Sequence, residues 1–216
     1  MLVVGEAGLA PARVLCLGAH SDDIEIGAGG TILKLLASRP GIVVDWVVLA
    51  ASGVREEEAR ASAARFLVNA AERTVVIRQF RERFFPQATT DLKEYFDELG
   101  RTLGPDLVIC PTRADAHQDH RTVAELTAST FRDQLILEYE IPKYDGDLGR
   151  PSVFVHVDEA TAQEKTRLLI EGFPTQRDRP WFTEETFRAL MRLRGVESKA
   201  PRGYAEAFHC RKMVLA

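Results

Sequence analysis

Cysteine is scarce in this sequence: three of its 216 residues are Cys16, Cys110 and Cys210, and they stand far apart. An odd number of cysteines without a CxxC pair argues against a disulfide framework and against a cysteine-based zinc site. Cys16 and Cys110 fall in apolar runs, where packing in the core explains them better than chemistry does. Reduced thiols of this kind fit the cytoplasm, which is the compartment we expect.

Long apolar runs and clustered positive charge are also missing. No apolar stretch approaches the roughly 20 residues needed to cross a bilayer. The opening Met1–Ala19 has no basic residue before Arg13, so we expect no signal peptide. The 28 Lys and Arg residues are dispersed among 32 Asp and Glu residues, and the net charge is −4. We therefore expect no membrane span and no nucleic-acid partner, because phosphate binding needs clustered positive charge.

What the sequence does contain is an alternation of short β-branched runs with longer helical patterns. A hydrophobic content of 45% is enough for one core, and we expect a single domain over residues 1–216. The alternation predicts an α/β fold of the Rossmann-like, doubly wound type, with a mostly parallel sheet and C-terminal additions. Strands buried on both faces are predicted at Arg13–Gly18, Ile42–Ala50, Thr74–Ile77 and Leu107–Cys110.

Apolar residues at three- and four-residue spacing predict the helices between and after these strands. They are placed at Gly30–Ser38, Glu56–Leu67, Asp91–Leu103 and His120–Arg132. The rhythm changes after an apolar run at Leu135–Tyr139. A strand at Val153–Val157, a helix at Glu159–Gly172 and a charged, aromatic segment at Phe173–Phe187 follow. Because no flexible linker separates them, we interpret them as additions to the same domain.

Two loops of the predicted sheet carry clusters of ionisable side chains. The first, Ala19–Glu25, follows the first strand and precedes Gly27–Gly30, which we interpret as the turn that starts a helix. Groups just beyond the carboxyl ends of strands face the ligand-binding crevice of an open α/β sheet. Helix capping would account for one aspartate, but it does not account for His20 beside two of them.

The second cluster, Pro111–His120, follows the fourth strand and holds two histidines three residues apart. Alone, this spacing is more often a solvated turn, so the prediction depends on both loops meeting at one end of the sheet. Two imidazoles and one carboxylate would leave coordination positions of an ion open, which suits catalysis. Zinc is our first choice, and Fe(II), which uses the same ligand types, stays open as an alternative.

Together, His20-Ser21-Asp22-Asp23, Gly29-Gly30-Thr31 and His117-Gln118-Asp119-His120 resemble the PIG-L/LmbE family of zinc-dependent N-acetylglucosamine deacetylases. That family carries Ala-His-Pro-Asp-Asp after its first strand and His-Pro-Asp-His after a later one. Ser21 and Gln118 stand here where proline is usual. Weaker similarities run along nearly the whole chain, at Arg55–Ala59, Val157–Asp158, Lys165, Thr175–Gln176 and Tyr204–Phe208.

The resemblance implies a catalytic metal centre with three protein ligands. These are His20, Asp23 and His120. Asp22 would be the general base, and His117 would polarise the amide or, in protonated form, donate to the leaving amine. Arg55 would contact the substrate.

For several other ionisable residues the sequence allows both a functional role and a purely structural one. Asp119 is our further catalytic candidate, because a carboxylate on the second ring nitrogen of a site histidine fixes its tautomer. Asp115 is a weaker candidate for that role, and a solvated loop acid is the alternative for both. Glu25 could cap the helix or lie near the metal, and we favour the interpretation as a cap; His156 and His209 are left outside the site.

The implied activity removes an N-acyl group, acetyl in the first instance, from a small-molecule amino sugar of the N-acetylglucosamine type. The nearest alternative is a broader zinc amidase or esterase. A Rossmann-like nucleotide-binding protein is a further alternative, although acids occupy the turn where pyrophosphate would bind. A catalytically silent metal-binding module is another. The oligomeric state stays open, and a homo-oligomer is compatible with the sequence.

Overall fold

A computed structural model describes residues 11–214, and in it one seven-stranded mixed sheet is combined with six α-helices. The strands are β1 (Arg13–His20), β2 (Val43–Ala50), β3 (Glu72–Ile77), β4 (Leu107–Pro111), β5 (Leu135–Tyr139), β6 (Val153–Val157) and β7 (Tyr204–Cys210). The helices are α1 (Asp23–Ser38), α2 (Val54–Phe66), α3 (Thr89–Thr102), α4 (Gln118–Thr130), α5 (Glu159–Gly172) and α6 (Glu184–Glu197). Short 3₁₀ turns lie at Phe85–Ala88 and Pro174–Gln176. The predicted α/β class is confirmed.

The strand order is β3-β2-β1-β4-β5-β7-β6. Strands β1 to β5 pair in parallel, and β7 pairs antiparallel with both β5 and β6. Because β1 and β4 are parallel neighbours, their carboxyl ends lie at the same edge of the sheet. The two loops that carry the ionisable clusters therefore emerge side by side.

Alternate residues of the central strands pack into two separate hydrophobic cores. In β1, Val14 and Cys16 belong to one core, while Leu15 and Leu17 belong to the other. The first core also takes apolar residues from α1, α2, α5 and α6, and the second takes them from α3 and α4. The central sheet is thus covered by helices on both faces, which explains why its strands are apolar throughout.

Helix α1 begins at Asp23, well before the predicted start at Gly30, so the glycines interpreted as a turn lie inside the helix. A Cβ on Gly27 would lie 2.2 Å from the Tyr139 ring, and one on Gly29 would lie 2.7 Å from the Phe66 ring. These glycines let α1 approach β5 and α2 closely. Tight packing therefore outweighs the low helix propensity of glycine.

One further prediction is wrong, and one helix of the structure was not predicted. Strand β3 is not buried on both faces, since it forms an edge of the sheet and its residues 72–74 are exposed. The sequence analysis also missed helix α6, whose first residues fall in the segment interpreted as charged and aromatic. Thr183 caps this helix by accepting the backbone N–H of Thr186, a local signal that the sequence does contain.

No helix within residues 11–214 is long and apolar enough to cross a membrane. The absence of a signal peptide was predicted from Met1–Ala19, and the first ten of those residues lie outside the described part of the chain.

Candidate active site

The connection between β1 and α1 contains only Ser21 and Asp22, and both side chains are buried. His20 ends the strand and Asp23 begins the helix. The Asp23 carboxylate turns back over the strand end, where its Oδ2 accepts the backbone N–H of His20 at 2.8 Å. This bond brings the Asp23 carboxylate next to the His20 ring.

The connection between β4 and α4 places two histidines at the start of a helix. His117 is the N-cap residue, and its Nδ1 accepts the backbone N–H of Asp119 at 3.2 Å. His120 lies in the first turn of α4 and is buried. The backbone N–H of His117 is held in turn by Asp115 Oδ1 at 2.7 Å. The loop is thus fixed by its own polar side chains.

The two loops bring His20, Asp23 and His120 together. His20 Nδ1 lies 3.1 Å from His120 Nε2 and 3.5 Å from Asp23 Oδ2, and His120 Nε2 lies 3.3 Å from the same oxygen. Ligand atoms at about 2.0–2.1 Å from a tetrahedral zinc ion are about 3.3–3.4 Å apart. The donor types and spacings therefore fit zinc, and the same set suits Fe(II).

His117 is the fourth group around this triangle. Its ring centroid lies 4.8 Å from those of both His20 and His120, and ring nitrogens of the three histidines lie within 4.8 Å of one another. A three-histidine site is thus the competing ligand set. Because His117 Nδ1 already accepts the Asp119 N–H, only Nε2 of this ring is free for a metal or a substrate.

Asp119 lies behind the His20 ring. Its Oδ2 is 3.2 Å from His20 Nε2. The Asp119 carboxylate is itself held by the backbone N–H groups of Arg83 at 2.6 Å and Phe85 at 3.2 Å. This contact orients the imidazole so that Nδ1 faces Asp23, in the way that carboxylate partners orient metal-binding histidines.

Asp115 plays the same part for His120, with Oδ2 2.9 Å from His120 Nδ1. Lys143 lies 3.0 Å from the other oxygen of this carboxylate. Asp115 was the weaker of the two candidates from the sequence, yet its contact with a histidine, 2.9 Å against 3.2 Å for Asp119, is the shorter one. Lys143 could not be identified from the sequence, because it lies in the loop after β5 and only the fold brings it to Asp115, in the loop before α4.

The charges at the site favour a bound cation. Burial lowers the pKa of His20, but the Asp23 charge and hydrogen bonds to Asp119 and Asp23 outweigh it and raise the pKa to about 10. Burial acts the same way on His120, and Asp23 and Asp115 raise its pKa to about 9. Without a metal, the carboxylates favour positive charge at this point, and at most one proton lies between His20 Nδ1 and His120 Nε2, which are 3.1 Å apart. A divalent ion replaces such a proton when it binds.

Asp22 lies beside the triangle and contacts Arg55. Arg55 donates from Nε and from one terminal nitrogen to Ser21 Oγ, at 3.1 and 2.8 Å, and that terminal nitrogen is 3.5 Å from Asp22 Oδ1. Burial raises the pKa of Asp22, the Asp23 charge adds to the rise, and Arg55 opposes it. The serine at a usual proline position thus supplies the hydroxyl that holds Arg55 in place.

The interpretation of Glu25 as a helix cap is wrong. The side chain is fully buried in α1, and both carboxylate oxygens lack a hydrogen-bond partner among residues 11–214. Burial raises the pKa of Glu25 to about 8, the nearby Ser62 hydroxyl opposes this rise although it lies outside good hydrogen-bond geometry, and the charges of Asp22 and Asp23 add to the rise. A fully buried carboxyl group with no cationic partner is expected to be neutral at physiological pH.

This pKa predicts how Glu25 affects stability. Because the folded pKa lies above the unfolded one, the fold keeps a proton that the unfolded chain releases between about pH 4.5 and 8. Stability falls across that window by at most about 1.4 kcal/mol per pH unit. We therefore measure the Tm of Glu25→Gln and of the natural protein in the presence of chelator. The Tm of the variant minus that of the natural protein should increase by about 5–10 °C between pH 5 and pH 8. Glu57→Gln, at an exposed position, is the control. A Tm difference for Glu25→Gln that does not change with pH would refute the raised pKa of Glu25.

Solved structures with this fold include proteins of different activity. N,N'-diacetylchitobiose deacetylase from Pyrococcus horikoshii, with its inhibitor, has a TM-score of 0.70 at 20% identity, covering 93% of this chain and 84% of that chain. The conserved protein TT1542 from Thermus thermophilus has a TM-score of 0.71 at 20% identity, with 94% and 96% covered. GalB, the 4-carboxy-2-hydroxymuconate hydratase from Pseudomonas putida KT2440, has a TM-score of 0.68 at 16% identity, with 94% and 98% covered.

At the level of sequence, a family model matches residues 15–131. This span includes both loops of the site and more than half of the chain. The similarity predicted from the two short motifs is therefore confirmed. The chain belongs to the PIG-L family, whose model is described as GlcNAc-PI de-N-acetylase.

Proposed function

We propose that this protein is a metal-dependent N-deacetylase that hydrolyses the N-acyl group, acetyl in the first instance, of an N-acetylglucosamine-like small molecule. Zinc is the ion we propose, with Fe(II) as the alternative. The observation that carries the proposal is the triangle of His20 Nδ1, Asp23 Oδ2 and His120 Nε2, with sides of 3.1–3.5 Å. Membership of the PIG-L family supports the reaction class.

In this proposal His20, Asp23 and His120 would hold the ion, and Asp22 would act on the attacking water. A zinc ion bound there would act as a Lewis acid and lower the pKa of a bound water from about 15.7 to roughly 7. Asp22 takes the proton as the water attacks the amide carbon. Its raised pKa suits this task, because a base works best when its pKa approaches the working pH.

His117 is proposed to donate a hydrogen bond from Nε2 to the carbonyl oxygen. Of the two roles expected for His117, polarising the amide or donating from a protonated ring, the contacts support the first, with a neutral ring. Its Nδ1 accepts the Asp119 N–H, and burial and the charges of His20 and His120 lower its pKa. A neutral imidazole can stabilise an oxyanion. The proton that the leaving amine needs is then returned by Asp22.

Arg55 is the proposed substrate contact beside Asp22, since 27% of its side chain is exposed at the site.

The deacetylase and the hydratase of the same fold demonstrate that fold does not determine the reaction. We also keep the cytoplasm as the proposed compartment, on the free thiols of Cys16, Cys110 and Cys210.

The proposed function is tested by release of free amine from a panel of N-acetylated amino sugars. Activity should fall by more than about 100-fold with chelator and return with Zn²⁺, because without the Lewis acid the water is not activated. N-acetylated amino acids in the same assay, and simple acetate esters followed by release of acetate, separate a deacetylase from a broader amidase or esterase. A protein that releases amine from none of the amides, or whose activity does not respond to the chelator, would not be the enzyme proposed.

A further inference from the structure

A buried ion pair joins α5 and β7 beneath helix α1. Lys165 Nζ lies 2.6 Å from Glu206 Oε1, and only 2% and 3% of these two residues is exposed. Buried ion pairs are costly to desolvate, and apolar residues often replace them without loss of stability. Stability alone is therefore a poor explanation for this pair.

Both residues of the pair form hydrogen bonds with backbone groups inside helix α1. Glu206 Oε1 accepts the N–H of Gly30 at 2.8 Å, and Glu206 Oε2 accepts the N–H of Thr31 at 2.6 Å. Lys165 Nζ donates to the carbonyl of Ile26 at 2.6 Å. In a regular α-helix the Gly30 N–H donates to that same Ile26 carbonyl. The ion pair thus offers a partner to both ends of one helical hydrogen bond.

The ion pair contacts α1 between the turn next to Asp22 and Asp23 and the following turn of the helix. The backbone N–H of Ile26 donates to the carbonyl of Asp22 at 3.0 Å. The turn that carries Asp22 and Asp23 is therefore linked through Ile26 to Lys165, while the following turn is held by Glu206. Glycine at position 30 favours this approach, since a Cβ there would lie 3.0 Å from Glu206 Oε1 and would push the carboxylate away.

We propose that Lys165 and Glu206 form a positioning pair for the metal centre, which rests on the site proposed above. They fix the first turn of α1 relative to the rest of the helix and so set where the carboxylates of Asp22 and Asp23 lie. The Gly29-Gly30-Thr31 segment and two of the weaker sequence similarities, Lys165 and Tyr204–Phe208, thereby meet in one structural unit.

The test compares Glu206→Gln, Lys165→Met and the double variant. Each single change leaves one charge buried without its partner and should lower both the Tm and the Zn²⁺ affinity, the affinity by about 10–100-fold. The double variant removes both charges, so its Tm should recover towards that of the natural protein. Its Zn²⁺ affinity should stay low, because Lys165→Met removes the donor to the Ile26 carbonyl and Glu206→Gln leaves only one oxygen to accept from Gly30 and Thr31.

Asp45→Asn is the matched control. Asp45 is a buried carboxylate paired with Arg13 at 2.7 Å, and it lies towards the opposite end of the sheet. It should lower the Tm and leave the Zn²⁺ affinity unchanged. If the affinity of the double variant recovered together with its Tm, the pair would be structural only and the inference would be overturned.

Hydrogen exchange of the metal-free protein gives a readout that does not depend on zinc. In Glu206→Gln, amides of residues 26–31 should exchange faster than those of the other helices, relative to the natural protein. Equal changes throughout the chain would overturn the inference. If the natural protein bound no Zn²⁺ but exchange rose in this segment, the proposed function would fail while the positioning role stood.

Discussion

Replacing Asp22 by asparagine is expected to lower kcat by about 10²–10⁴-fold, the usual contribution of a general base, while the protein keeps its metal. The amide is nearly the same size as the carboxylate but cannot take a proton from water. Asp22 is outside the ligand triangle and bonds to Arg55 instead, so binding of the ion should persist. Kinetics on the amino-sugar panel and elemental analysis of the same sample measure the two effects.

The neighbouring carboxylate provides the matched control for this variant. Asp23→Asn makes the same chemical change one residue away, at a proposed ligand, and should release the metal. The pH profile adds a second check. Because burial raises the pKa of Asp22, activity should rise with pH to a point above the usual aspartate range, and the Asn variant should lose this limb. If Asp22→Asn lost its metal as Asp23→Asn does, Asp22 would be a ligand and not the base.

The two histidines of the second loop are expected to respond differently to removal. His120→Ala should abolish stoichiometric metal binding and activity together, because it deletes one of three ligands. The loss of affinity should exceed the roughly 100-fold upper range for residues that only orient a ligand. His117→Ala should keep the metal and lower kcat by about 10²–10³-fold, as loss of one oxyanion donor does.

His117→Gln completes this series, since its amide keeps an N–H donor and should recover part of the activity. Metal content by elemental analysis separates the variants before any kinetics are done. If His117→Ala released the metal and Asp23→Asn retained it, the three-histidine set of His20, His117 and His120 would be the metal site. The proposed general-base and donor roles would then need to be reassigned.

The parts of the site that the sequence could predict are those encoded by neighbouring residues. The apolar runs of β1 and β4 are continuous because both faces are buried, and their polar ends stand out against them. His20, Asp22 and Asp23 lie within four positions, and His117 and His120 lie in another short segment. Parallel pairing of the two strands then determines that these segments meet.

What the sequence could not predict depends on residues far apart along the chain. Lys143 reaches Asp115 from a separate loop, and Lys165 and Glu206 meet α1 from α5 and β7. No local pattern marks such partners. The early start of α1 was missed for a related reason, because the need for glycine arises from close approach to Tyr139 on another element.

The measurement that tests the central claim most directly is a crystal structure with anomalous data collected at the zinc absorption edge. We expect one strong anomalous peak about 2.0–2.2 Å from His20 Nδ1, Asp23 Oδ2 and His120 Nε2, with Asp22 and His117 outside bonding distance. A peak bonded to His117 in place of Asp23, or no peak between the two loops, would contradict the account.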